Sequence, residues 1–95
     1  MITVQRFRKK PIVIEAIQFT GQNWDEVKAF TGEDRFGTIS AGQAVDLSAE
    51  VYDVLHSTWV GVKNGQWIIR GVQGEFYPID ETVLAETYDM LGDSE

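Results

Sequence analysis

His56 is the only imidazole in the chain, so nucleophilic chemistry of the serine-hydrolase kind has to run through it. Ser57 follows it directly and Asp53 precedes it by three. Read as one extended strand, neighbouring and odd-spaced residues point to opposite faces, so neither side chain meets the ring. No G-x-S-x-G elbow is present. The chain has no cysteine, which removes thiol nucleophiles, disulfides and zinc ribbons together. Paired carboxylates are available in number, with Asp25-Glu26, Glu33-Asp34 and Asp80-Glu81 as adjacent pairs. At helix starts such pairs complement the helix dipole, and nothing in their spacing converges them on a metal or a base. There is no phosphate loop and no dinucleotide or calcium motif. The run Gly71-Val72-Gln73-Gly74 reads as a hairpin turn. The expectation is a protein without catalytic residues, metal ligands or cofactor.

Binding is better represented. Tyr52, His56, Trp59, Trp67, Arg70, Phe76 and Tyr77 fall within 26 residues. Aromatic rings with a few polar tips line small-molecule pockets and interfaces. The competing reading puts Trp59, Trp67 and Phe76 in the core and Arg70 in a salt bridge with Glu75 across a turn. As a ligand site, the same residues suit a nucleotide: a ring stacks a base and Arg grips a phosphate. The candidate set is His56, Trp59, Arg70 and Tyr77, with Arg8 or Lys10 adding charge from a neighbouring strand or subunit.

The charge is divided along the chain. The net charge is −7, yet residues 1–10 hold Arg6, Arg8, Lys9 and Lys10 and no acid. Residues 11–95 carry fifteen acids against four bases, and Asp80 to Glu95 holds six acids and no base. An acidic body opposes binding to a nucleic-acid polymer, which needs clustered Lys and Arg. The +4 arm leaves room for a local anion or an acidic neighbour. The apolar run Ile12-Val13-Ile14 stops at Glu15, too short for a signal-peptide core or a membrane span, so a cytoplasmic protein is expected.

These residues need elements to hold them. Residues 12–19 are β-branched on both faces and read as a covered strand. Trp24, Val27 and Phe30 mark a short amphipathic helix from Asn23 to Thr31, with Asn23 as N-cap and Gly32 just past its end. Arg35–Ser40 and Ala44–Leu47 read as short strands. Val51 to Val62 contains strand formers throughout. Asn64-Gly65 is a strong hairpin signal, Gln66–Arg70 the return strand and Glu75–Tyr77 a third, closed by Pro78. Asp80 caps a last helix marked by Val83, Leu84, Tyr88 and Leu91. The expected fold is one α+β domain over 1–95, a three-stranded meander plus an N-terminal strand with two helices. A small core and exposed hairpin edges favour a homo-oligomer.

Two segments resemble a known family. One is Arg8-Lys9-Lys10-Pro11-Ile12-Val13-Ile14-Glu15-Ala16-Ile17-Gln18-Phe19, followed by Gly21 and Asn23. The other is Val51 to Val62 and then Gly65-Gln66-Trp67-Ile68-Ile69-Arg70-Gly71-Val72-Gln73-Gly74-Glu75-Phe76-Tyr77-Pro78, and the closing Glu86-Thr87-Tyr88 fits as well. They are similar to small phage and prophage proteins of the PGDYG type. The chain departs from that pattern at Gln66, where the family often has Asp, and at Ile79, where it often has Cys. The resemblance implies a phage accessory protein in the cytoplasm of a bacterial host, with no enzymatic role to transfer. By analogy with phage counter-defence proteins, it implies a non-enzymatic binder that sequesters a nucleotide-type immune signal. Two alternatives stand beside it. One is an acidic protein-interaction module that inhibits a host protein. The other is an enzyme cleaving a cyclic nucleotide.

Overall fold

Two three-stranded antiparallel sheets and two short helices carry the chain in a computed structural model that describes residues 4–7, 12–39 and 49–89. In chain order the elements are β1 (Glu15–Gln18), α1 (Trp24–Thr31), a 3-10 turn (Glu33–Arg35), β2 (Phe36–Thr38), β3 (Ala49–Asp53), β4 (Thr58–Val62), β5 (Trp67–Arg70), β6 (Phe76–Ile79) and α2 (Glu81–Thr87). The α+β class with antiparallel strands and two helices is as the sequence indicates. The strand pairing is more divided. The first sheet has the order β1-β5-β6 and the second β2-β3-β4.

The division comes from two turns. Val51–Val62 is not one strand. It breaks at Val54–Ser57 into the hairpin β3–β4, with Tyr52 opposite Trp59 and Asp53 opposite Thr58. Asn64-Gly65 does form a turn, and Gly65 has φ 93°, a conformation that costs a residue with a Cβ. That turn closes no hairpin. It carries the chain from β4 in one sheet to β5 in the other, where β1 pairs with β5, Glu15 standing opposite Arg70. The Gly71–Gly74 turn behaves as read: it joins β5 to β6, closed by Gly71 N–H to Glu75 C=O at 2.7 Å. Pro78 lies inside β6, which is tolerated because β6 is an edge strand. β1, expected to be covered, is the other edge.

Strand alternation gives the first sheet two distinct faces. Ile17, Ile68 and Phe76 lie on one, Ala16, Trp67, Ile69 and Tyr77 on the other. The core forms where the first of these faces meets the second sheet and α1. It contains Phe19, Val27, Phe36, Ala49, Val51, Val62, Ile68 and Phe76. Phe19, Trp24 and Phe36 meet edge to face or tilted at centroid distances of 4.9–5.2 Å, a favoured aromatic arrangement.

Asn23 occupies the N-cap position of α1, but its side chain turns back rather than forward. Its amide donates to Gln18 C=O at 2.8 Å, and its oxygen accepts from Thr20 N–H at 2.8 Å and Thr20 O–H at 3.1 Å. It thus fixes the angle between β1 and α1. Asp80 at the start of α2 likewise accepts from Gln66 Nε2, at 2.9 Å, instead of capping. α2 ends at Thr87, before the expected Leu91, and none of its residues is buried. The expected strand at 44–47 lies outside the described residues. Among the described residues no helix is long and apolar enough to cross a membrane.

Candidate functional site

The sequence-derived site residues divide among separate places. Arg8 and Lys10 lie outside the described residues. His56 is not in a strand but in the β3–β4 turn, with its side chain 69% exposed. Because the strand breaks there, the parity argument that separated it from Asp53 fails. His56 Nδ1 sits 2.7 Å from Asp53 Oδ2. Asp53 Oδ1 accepts the Leu55 and His56 amides at 3.0 and 3.3 Å, an Asx-type turn that replaces ladder bonds with side-chain bonds. Ser57 completes the reversal at φ 53°. The hydrogen bond from the His56 imidazole holds the Asp53 carboxyl below its ordinary value. Burial opposes this, and the two amides add to it.

Trp59 is 45% exposed on β4 and packs edge to face on Tyr52 at 5.3 Å. Arg70 and Tyr77 both belong to the first sheet, but the register puts them on opposite faces. Arg70 does not pair with Glu75. Its Nη1 donates to Glu15 at 2.5 Å across the β1–β5 ladder, and its Nη2 to Phe30 C=O at 2.9 Å. The guanidinium lies 4.7 Å from the Phe30 ring centroid and 5.5 Å from that of Phe76. The group expected to grip a phosphate is therefore engaged with α1 and β1. Glu75 folds instead over Gly71, with Oε2 buried and without a hydrogen-bond partner. Arg70 and Tyr77 face away from each other across the sheet, and none of His56, Trp59, Arg70 and Tyr77 lines the cavity between the first sheet and α2.

That cavity has the dimensions of a binding site. Its volume is about 600 Å³, within the range of ligand pockets, and it opens to solvent. The sheet side is Ile14, Ala16 and Trp67, with Phe30 from the end of α1. The opposite wall is Leu84 and Ala85 of α2 and Tyr88 just beyond it. α2 thus has its apolar side toward the sheet without closing on it, which is why none of its residues is buried. Three carboxylates border this aromatic interior: Glu15, Glu81 and Asp89. Glu15 is neutralised by Arg70. Among the described residues no basic side chain pairs with Glu81 or Asp89.

Sequence reasoning found the parts of this wall without finding the cavity. Leu84 and Tyr88 are visible as the apolar side of a helix, and Trp67 as an aromatic of the sheet. Their periodicity says which side is apolar, not whether that side is covered. Among the described residues no group of three or more His, Asp or Glu is placed to hold a metal ion. No family model matches the chain, and neither a curated protein nor a solved structure is similar enough to it to match.

Proposed function

We propose that this is a non-enzymatic binding module, a phage-type accessory protein of the host cytoplasm that acts by holding a basic segment of a protein partner. The observation that carries this reading is the cavity beneath α2, whose interior is aromatic and aliphatic and whose border holds Glu81 and Asp89, two carboxylates that no basic side chain among the described residues pairs with. An apolar interior with an anionic rim suits a group that is apolar along its length and cationic at its tip, as Lys and Arg side chains and the residues beside them are. The acidic body, with −11 beyond residue 10, draws such a partner in and opposes polyanions. His56 and Asp53 do not line this cavity, so holding rather than transforming is the role the reading assigns to it.

The nucleotide reading keeps one supporting observation, the exposed Trp59 ring beside Tyr52, which could stack a base. Arg70, the guanidinium expected beside that ring, is engaged with Glu15 and Phe30 instead.

Calorimetry with three probes separates the readings: a Lys/Phe peptide, its Glu/Phe counterpart and a cyclic dinucleotide. The expected result is heat from the basic peptide alone, abolished by Ala85→Trp, which fills the cavity. Heat from the dinucleotide alone, retained in Ala85→Trp and lost in Trp59→Ala, would replace this reading with the nucleotide one. Silence with all three removes both.

A further inference from the structure

The chain carries a segment of the chemistry this cavity suits. Residues 4–7 read Val-Gln-Arg-Phe and all four are exposed, Val4 to 82% and Phe7 to 87%. Phe7 therefore does not sit in the cavity of its own chain. A phenylalanine left in water forgoes the free energy of burying its ring, so this segment gains by finding a cover. Arg6 stands beside Phe7, and the sequence continues into Arg8, Lys9 and Lys10 without an acid. The cavity offers Trp67, Phe30 and Tyr88 for the ring, and Glu81 and Asp89 for the cations.

We infer that the occupant of the cavity is the N-terminal segment of a second copy of this chain, with Phe7 entering beneath α2 and Arg6 meeting the Glu81–Asp89 rim. This inference rests on the cavity reading above and names its partner. One such contact is small. A stable interface buries on the order of 1,000 Å² or more, so the exchange is reciprocal, each copy giving a segment and receiving one about a two-fold axis. Reciprocity also closes the assembly, where a one-way contact would run on into open chains. Its charged half weakens as salt screens it.

The test is the mass of the full chain by light scattering or sedimentation at low and high salt. The expected result is a dimer at low salt that loosens at high salt. Phe7→Ser with Arg6→Glu gives a monomer, and so does Glu81→Lys with Asp89→Lys. Mixing those two variants restores a dimer, with the unaltered segment of one in the unaltered cavity of the other and the two charge-reversed surfaces facing each other in the second contact. All of these positions are exposed or at the cavity border, so circular dichroism of each variant should match the parent.

A wild-type monomer overturns the inference, as does a dimer unaffected by either pair of substitutions. A synthetic peptide of residues 1–11, titrated into the Phe7→Ser, Arg6→Glu variant, keeps the two readings apart. If it binds and Glu81→Lys with Asp89→Lys abolishes that binding, while the wild type is monomeric, the cavity reading stands and the second copy is wrong. If neither it nor the Lys/Phe peptide binds, both fall.

Discussion

Asp53 and His56 are joined at 2.7 Å across a turn with no glycine or proline in it. The carboxylate does the work that glycine does in other turns. It holds the Leu55 and His56 amides and the imidazole together, so that Ser57 can adopt its positive φ. A constellation that looks like two thirds of a hydrolase triad is, in this fold, the fastening of a hairpin.

The pH dependence follows from that fastening. The folded Asp53 carboxyl titrates below its ordinary value of 3.8, so the folded state binds fewer protons than the unfolded one. Its contribution is fully present above pH 3.8 and is lost as pH falls through the lower, folded value. In urea unfolding followed across this range, the midpoint difference between wild type and Asp53→Asn should be constant above the window and shrink within it. A difference that grows on acidification contradicts the assignment.

Arg70 and Glu15 should contribute unequally although they form one pair. Both side chains are substantially exposed, at 39% and 65%, so the ion pair itself is worth about 0–1 kcal/mol. Glu15→Gln is expected near the bottom of that range. Arg70→Ala also loses the bond to Phe30 C=O and the contacts with the Phe30 and Phe76 rings, about 1–2 kcal/mol in all. Equal effects of the two substitutions in chemical denaturation would show that neither the Phe30 carbonyl bond nor the aromatic contacts contribute.

Core and helix surface should respond by very different amounts. Ile68 is fully buried in the central strand of its sheet, and Ile68→Ala is expected to cost about 2–5 kcal/mol. Val83 is 46% exposed on α2, and Val83→Ser should stay within about 0.5 kcal/mol. Urea midpoints measure both.

Asn23→Ala is the corresponding test of the β1–α1 junction. It removes the bonds to Gln18 C=O, Thr20 N–H and Thr20 O–H together, for a loss of about 1–2 kcal/mol. Hydrogen exchange should show the first turn of α1 opening more readily. Unchanged protection there would mean that the main chain alone holds the junction.

The sequence made some of this legible and hid the rest for identifiable reasons. The Gly71–Gly74 turn and the helix from Trp24 to Thr31 are local matters, decided by glycine φ preference and by 3.6-residue spacing. The break at Val54–Ser57 was hidden because its turn is made by a side-chain oxygen rather than by Gly or Pro. Asn64-Gly65 announced a turn correctly, but whether a turn joins paired strands depends on which strand takes the neighbouring edge. β1 takes that edge, from fifty residues away in sequence. The pairing of Arg70 with Glu15 rather than Glu75 has the same origin: Glu75 is near in sequence, whereas Glu15 is opposite in the ladder. The cavity was the least legible feature, because a helix that stands off its sheet has the same apolar pattern as one that closes on it.

Pro78 also bears on how this chain behaves when copies of it collide. Strand edges are templates on which stray chains can add and fibrils can grow. On the β6 side of the first sheet, the row of donors is broken at Pro78, where no N–H exists to offer. A newly made copy that collides with this side meets an interrupted ladder. The chain is thereby guarded on that flank against templated aggregation by one residue.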